Sequence, residues 1–226
     1  LITIMIQAFR MAAEPFFFNR SKEDDAPRTY ARIMKFFVIA CCFMFLLISL
    51  YIDVFAWFFT AIRKPAWVEG LQVVPLLALG NIFLGIYYNL SIWYKLKHKN
   101  LTGAMITLAG AAITIVLNII LIPKLHYLGA AIATFCCYLF MMIVSFKLGQ
   151  KHYPVPYARK KLIAYIVLVV LLYGVHRGAV YFLDNHWFNL GLATGLFLFF
   201  TWFVVQIERK ELVKMPVIGK WIKGRG

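Results

Sequence analysis

The sequence predicts an all-α integral membrane protein with about seven transmembrane helices. Three observations carry that expectation. Hydrophobic residues make up 63% of the 226, with a mean hydropathy of +0.79, more apolar surface than one soluble core of this length can hide. Seven apolar stretches approach or reach the roughly 20 residues that a helix needs to cross hydrocarbon. The segments between them alternate between basic and nearly uncharged, as topology signals do.

The stretches are 1–18, 35–56, 71–93, 101–122, 127–147, 161–182 and 188–206. The first is short and contains Arg10 and Glu14. Two readings account for it: a span whose beginning is missing, or a re-entrant helix. The chain opens at Leu1 with neither Met nor a charged region before the apolar run, so no signal peptide is recognisable and a fragment is expected. Residues 1–206 form the expected helical region, followed by a basic tail over 207–226. That tail mixes Leu212, Val213, Val217, Ile218, Trp221 and Ile222 with Lys. It reads either as a segment lying on a leaflet or, given Pro216 and three glycines, as a disordered end.

Charge sets the orientation. Arg20, Lys22, Arg28, Arg32 and Lys35 occupy the first connector, Lys95, Lys97 and Lys99 the third, and Lys147 to Lys161 the fifth. With the tail these hold 19 of the 24 basic residues. The intervening connectors hold Arg63, Lys64 and Lys124 alone. Because loops retained in the cytoplasm keep Lys and Arg, the basic side and the C-terminus are expected to be cytoplasmic, in a multi-pass protein of the cell membrane. Aromatics such as Trp57, Trp67, Trp93, Tyr153, Tyr181 and Trp187 fall near the proposed boundaries, where amphipathic rings prefer to sit. The formal charge of +15 is thereby absorbed into topology, and no nucleic-acid partner is implied.

Chemistry-bearing residues are few. Cys41-Cys42 and Cys136-Cys137 are adjacent pairs inside apolar runs and have neither metal-site nor disulfide spacing. His98, His126 and His152 lie in connectors without ligand spacing. No Walker A loop, H-E-x-x-H or G-x-S-x-G occurs, so no enzyme and no cofactor is expected.

The informative pattern is in the first stretch. Thr3, Gln7, Arg10 and Glu14 are spaced to share one helix face. Ionisable groups inside a membrane cost about 2.5–3.5 kcal/mol each on insertion scales and therefore face protein or a wet cavity. Arg10 and Glu14 can pair as i,i+4 neighbours. They are read either as a self-satisfying structural pair or as groups that meet an anionic headgroup. Pro15 follows and removes a backbone donor. Asn81, Gly85, Tyr88 and Asn89 share another face, and Thr107, Gly110, Ala111, Thr114 and Asn118 a third. Helix–helix packing explains both most simply, as it does the G-x-x-x-G of Gly191 and Gly195. Arg177 can snorkel to an interface, and Asp53 holds a similar boundary position.

The runs AFRMAAEPFFF at 8–18, YARIMK at 30–35 and LIPKLHYLGAAIAT at 121–134 resemble the polysaccharide biosynthesis and O-antigen flippases. These belong to the superfamily that includes the multidrug exporters. The third run has about one residue more than the usual spacing between Pro123 and Gly129. The resemblance reaches to about residue 150. It implies one lobe, the C-terminal one, of a two-lobe transporter, with the N-terminal lobe of the same protein as partner. It implies a lipid-linked (undecaprenyl-diphosphate) oligosaccharide as substrate, flipped among membrane lipids by alternating access. Substrate-binding candidates are then Arg10 for the diphosphate, with Glu14 and Gln7 beside it, and Asn81, Asn89 and Asn118 for sugar hydroxyls. The alternatives are a cation-coupled multidrug exporter of the same superfamily and a membrane-bound glycolipid-modifying enzyme, for which His176, Asp184 and His186 are the only suggestive cluster.

The charge pattern makes a direct prediction. In a background whose native cysteines are replaced by alanine, a membrane-impermeant maleimide added to intact cells should label Lys124→Cys and leave Ser21→Cys unlabelled. The reverse pattern overturns the orientation.

Overall fold

The computed structural model describes residues 1–61, 68, 70–182 and 186–213. In hydrocarbon no water satisfies a free amide or carbonyl, so a spanning segment must close its hydrogen bonds on itself. Every regular element among the described residues is accordingly a helix: α1 (Ile2–Arg20), α2 (Ala26–Leu50), α3 (Ile52–Ala61), α4 (Val74–Leu90), α5 (Ile92–Leu96), α6 (Asn100–His152), α7 (Arg159–Phe182) and α8 (His186–Leu212). A 3-10 turn, Leu71–Val73, leads into α4. Each of the seven expected stretches falls on these helices. Five helical segments are long and apolar enough to cross a membrane: Ala26–Leu50, Leu71–Leu96, Asn100–His152, Arg159–Phe182 and Trp187–Arg209.

The helix ends differ from the expected stretches in three places. The helix that carries most of 35–56 starts earlier, at Ala26, because Pro27 sits in the first turn, where its fixed φ and missing amide are harmless. Arg28, Arg32 and Lys35 are therefore helical and do not lie in a loop. Lys35 is buried, its ammonium 5.3 Å from the Phe36 ring centroid. That helix stops at Leu50, and α3 follows as a separate short helix with Asp53 exposed in its first turn. Beyond the last expected span, α8 continues to Leu212, inside the region read as tail. Arg63, Lys64, Trp67, Asp184 and the tail from 214 lie outside the described residues.

The α6 segment is two helices joined at a kink: His126 has φ 48° and ψ −125° and folds it into arms 100–125 and 127–152. The arms run antiparallel. Met141 and Cys137 come against Gly110, and Gly129 lies against the Leu121 carbonyl. A Cβ on Gly129 would sit 2.6 Å from that oxygen, so only glycine permits this reversal.

The chain divides into two compact units, Leu1–Val167 and Leu168–Gly226. In the first, α4 is central and packs most extensively on α6, then on α2 and α1. Leu84 and Tyr87 meet Ile106, Cys137 and Met141 in one apolar cluster, and Phe17, Tyr30, Ile92 and Val155 form another. Cys41, Cys42 and Cys137 are buried thiols. Trp93 is 2% exposed. Its indole donates to Ser145 Oγ at 3.4 Å and stacks on His152 at 5.3 Å, which satisfies the polar edge of the ring inside the protein. In the second unit, Val169, Leu172 and His176 of α7 and Ala193, Phe200 and Val204 of α8 are buried. A Cβ on Gly191 or Gly195 would meet nothing within 4 Å. Their G-x-x-x-G is therefore not a close-packing face among the described residues, contrary to the expected packing role.

Gly129→Val should lower stability by about 1–3 kcal/mol, the usual range for overpacking a tight contact. This is read as a depressed unfolding midpoint of the detergent-solubilised protein. An unchanged midpoint contradicts the hairpin geometry.

Candidate functional site

The α1 helix presents two edges. Its apolar edge, Ile2, Ile6, Ala13 and Phe17, is buried. The Phe9 ring packs against Phe37, tilted by 35° with centroids 4.3 Å apart, and Tyr30 donates its hydroxyl to the Phe17 carbonyl at 2.7 Å. These contacts fix the rotation of α1, so the polar edge lies alongside α4 and α5.

Along that edge the two helices meet in register. Thr3 donates to Asn81 Oδ1 at 3.4 Å. Further along, the Arg10 guanidinium stands 4.9 Å over the Tyr88 ring. At the far end, Lys95 donates to the Glu14 carboxylate. Residues rising from 3 to 14 thus meet residues rising from 81 to 95, so α1 runs parallel to the α4–α5 rod. A parallel arrangement is what the sequence-based topology expects of the first and third stretches.

Glu14 is the hinge of the arrangement. Its Oε1 accepts from Lys95 and lies 3.8 Å from Arg10 Nε. Two cations on one carboxylate leave an excess of one positive charge. The side chains of Arg10, Glu14 and Lys95 are 40%, 36% and 28% exposed. The trio is neither sealed in the core nor fully free, so it remains open to an anion.

Behind it is a crevice lined by Arg10, Glu14, Gly85, Tyr88, Asn89 and Ser91 among others. Its room is about 10 Å³, enough for no more than one water. A headgroup would have to approach from the exposed side. A Cβ on Gly85 would stand 2.7 Å from the Phe37 ring, which shows how closely the helices pass at this point.

The expected site residues separate accordingly. Arg10, Glu14 and Asn89 line one crevice. Asn89 is buried, donates to the Gly85 carbonyl at 3.2 Å and leaves its Oδ1 without a hydrogen-bond partner. Asn81 bonds the Leu77 carbonyl at 2.8 Å as well as Thr3. Gln7 is half-buried and is not among the crevice lining. Asn118 belongs to the first arm of α6 and is not part of the lining either, although its Oδ1 is also buried and unpartnered. On the same arm, Thr107 and Thr114 return their hydroxyls to the Gly103 and Gly110 carbonyls at 2.6 and 3.0 Å. These two hydroxyls are satisfied within their own helix.

Lys95 is the member that sequence reasoning missed. It reads as one more cytoplasmic charge, yet it stands seven residues after Tyr88 and fourteen after Asn81. That spacing keeps one helix face for two turns at a time, and it was the available signal. Of the cluster suggested for an enzyme, His176 is buried, and the Asp184 and His186 side chains lie outside the described residues. No family model, curated protein or solved structure matches the chain.

Glu14→Ala and Lys95→Ala should be coupled. Because each removes the same contact, the double variant should lose less stability than the two single losses added together, by about 0.5–3 kcal/mol. Simple additivity in a double-mutant cycle on thermal unfolding would show that the contact is not made.

Proposed function

We propose that this chain is one lobe of a flippase that moves a lipid-linked oligosaccharide across the cell membrane by alternating access. A sugar-bearing diphosphate cannot cross hydrocarbon unaided, whereas its lipid tail is at home there. A protein therefore needs to supply only a hydrated polar path for the headgroup. Rocking of two lobes would open that path to each side in turn.

The observation that carries the reading is the Arg10–Glu14–Lys95 trio. It places surplus positive charge at a half-exposed position on a helix that is otherwise largely apolar. A diphosphate is the ligand chemistry that such a surplus attracts. The resemblance of 8–18 and 121–134 to the polysaccharide flippases points the same way. Under this reading Arg10 meets the diphosphate, Glu14 holds Arg10 and Lys95 in place, and Asn89 Oδ1 is an acceptor reached only if the crevice opens. A cation-coupled exporter would need an open carboxylate, and Glu14 is already engaged by two cations.

The reading is tested in the complete protein by surface display of polymer at matched protein level. Arg10→Ala should reduce export about tenfold or more, as expected for loss of a charge-assisted contact of about 1.5–3 kcal/mol. Arg10→Lys should retain part of it. Full polymer display by Arg10→Ala would remove this position from the substrate path.

A further inference from the structure

On another side of the first unit, α2, α4, the second arm of α6 and the start of α7 enclose an apolar groove of about 340 Å³. Its walls include Met34, Phe83, Leu90, Phe146 and Ile163, and one of its lining residues is charged: Arg159. The Arg159 guanidinium lies 5.8 Å from the centre of the Phe146 ring, itself part of the wall. The cation is thereby held at the groove's mouth. Lys160 and Lys161 follow it directly, and no carboxylate is among the lining. The groove is separate from the crevice beside Arg10, with which it shares no lining residue.

A groove with no polar lining beyond its mouth takes a hydrocarbon chain, and a volume of this size is ordinary for a ligand site. A cation at the mouth selects the charge attached to that chain. Arg159 belongs to the most basic face of the protein, the side expected to contact the negatively charged cytoplasmic leaflet. We propose that the groove is a binding site for an anionic phospholipid of that leaflet, with one acyl chain along Phe83, Leu90 and Ile163 and the phosphate on Arg159. Guanidinium is suited to this role because its planar donors match phosphate oxygens in pairs. The bound lipid would bridge α2 and α7, so it would also tie the start of α7 to the rest of its unit. This inference is independent of what the protein transports.

The test is lipid retention by the full chain, purified from nanodiscs containing equal phosphatidylglycerol and phosphatidylcholine and read by native mass spectrometry. Phosphatidylglycerol should be retained over phosphatidylcholine by about fivefold or more. Arg159→Gln should abolish that preference while leaving total retention nearly unchanged. Ile163→Trp should block retention of both lipids. Ile163 is 61% exposed, so the larger ring is accommodated without disturbing the core. Equal retention of the two lipids by the unaltered chain, or an undiminished preference in Arg159→Gln, would overturn the proposal. So would disulfide formation between two copies of Ile163→Cys, because a second copy would then be the occupant.

Discussion

A charge carried into hydrocarbon must bring its own partners, and the first unit is organised around one solution to that constraint. Glu14 lies between Arg10 on its own helix and Lys95 on a neighbour. The pairing reduces the cost of placing these groups on apolar helices. It also fixes how α1 docks. Once Glu14 meets Lys95, Arg10 falls over Tyr88 and Thr3 reaches Asn81, while Phe9, Ala13 and Phe17 turn inward. The apolar and polar edges of α1 thus specify one rotation and one direction.

The same economy appears elsewhere in the molecule. Trp93 brings a polar edge into the core and meets Ser145 and His152 there. Thr107, Thr114, Thr134 and Thr194 return their hydroxyls to carbonyls four residues earlier in their own helices. Polar side chains in this chain are mostly consumed locally, as a lipid solvent requires. Among those that are not consumed are Asn118 and Asn89, the latter with an unpartnered oxygen in the crevice that Arg10 and Glu14 also line, and the Arg10–Glu14–Lys95 trio with its surplus charge.

Much of the architecture was readable from residues alone, because apolar length and the distribution of Lys and Arg obey one-dimensional rules. The α6 hairpin is an example, since its two arms coincide with stretches 101–122 and 127–147. The shared face of Arg10 and Glu14, and that of Asn81, Tyr88 and Asn89, were also legible as helical spacing. What spacing could not supply was that these two faces meet each other, because pairing between helices is a three-dimensional fact. The pairing of Lys95 with Glu14 was missed for the same reason. A lysine at the end of a span looks identical whether it faces solvent or a carboxylate 81 positions away in sequence. Spacing likewise could not show that Lys35 and Trp93 are buried against neighbouring side chains. Gly191 and Gly195 show the opposite error: a small-residue motif was present, but the described structure brings nothing against it.

The most direct measurement is disulfide trapping between α1 and the α4–α5 rod in a cysteine-free background. Parallel helices in this register should give rapid oxidative cross-links for the pairs Thr3→Cys with Asn81→Cys and Glu14→Cys with Lys95→Cys. The exchanged pairs, Thr3→Cys with Lys95→Cys and Glu14→Cys with Asn81→Cys, should give none. Cross-links in the exchanged pairs, or in no pair, would mean that Glu14 does not sit between its two cations, and the anion-attracting surface would be lost with it.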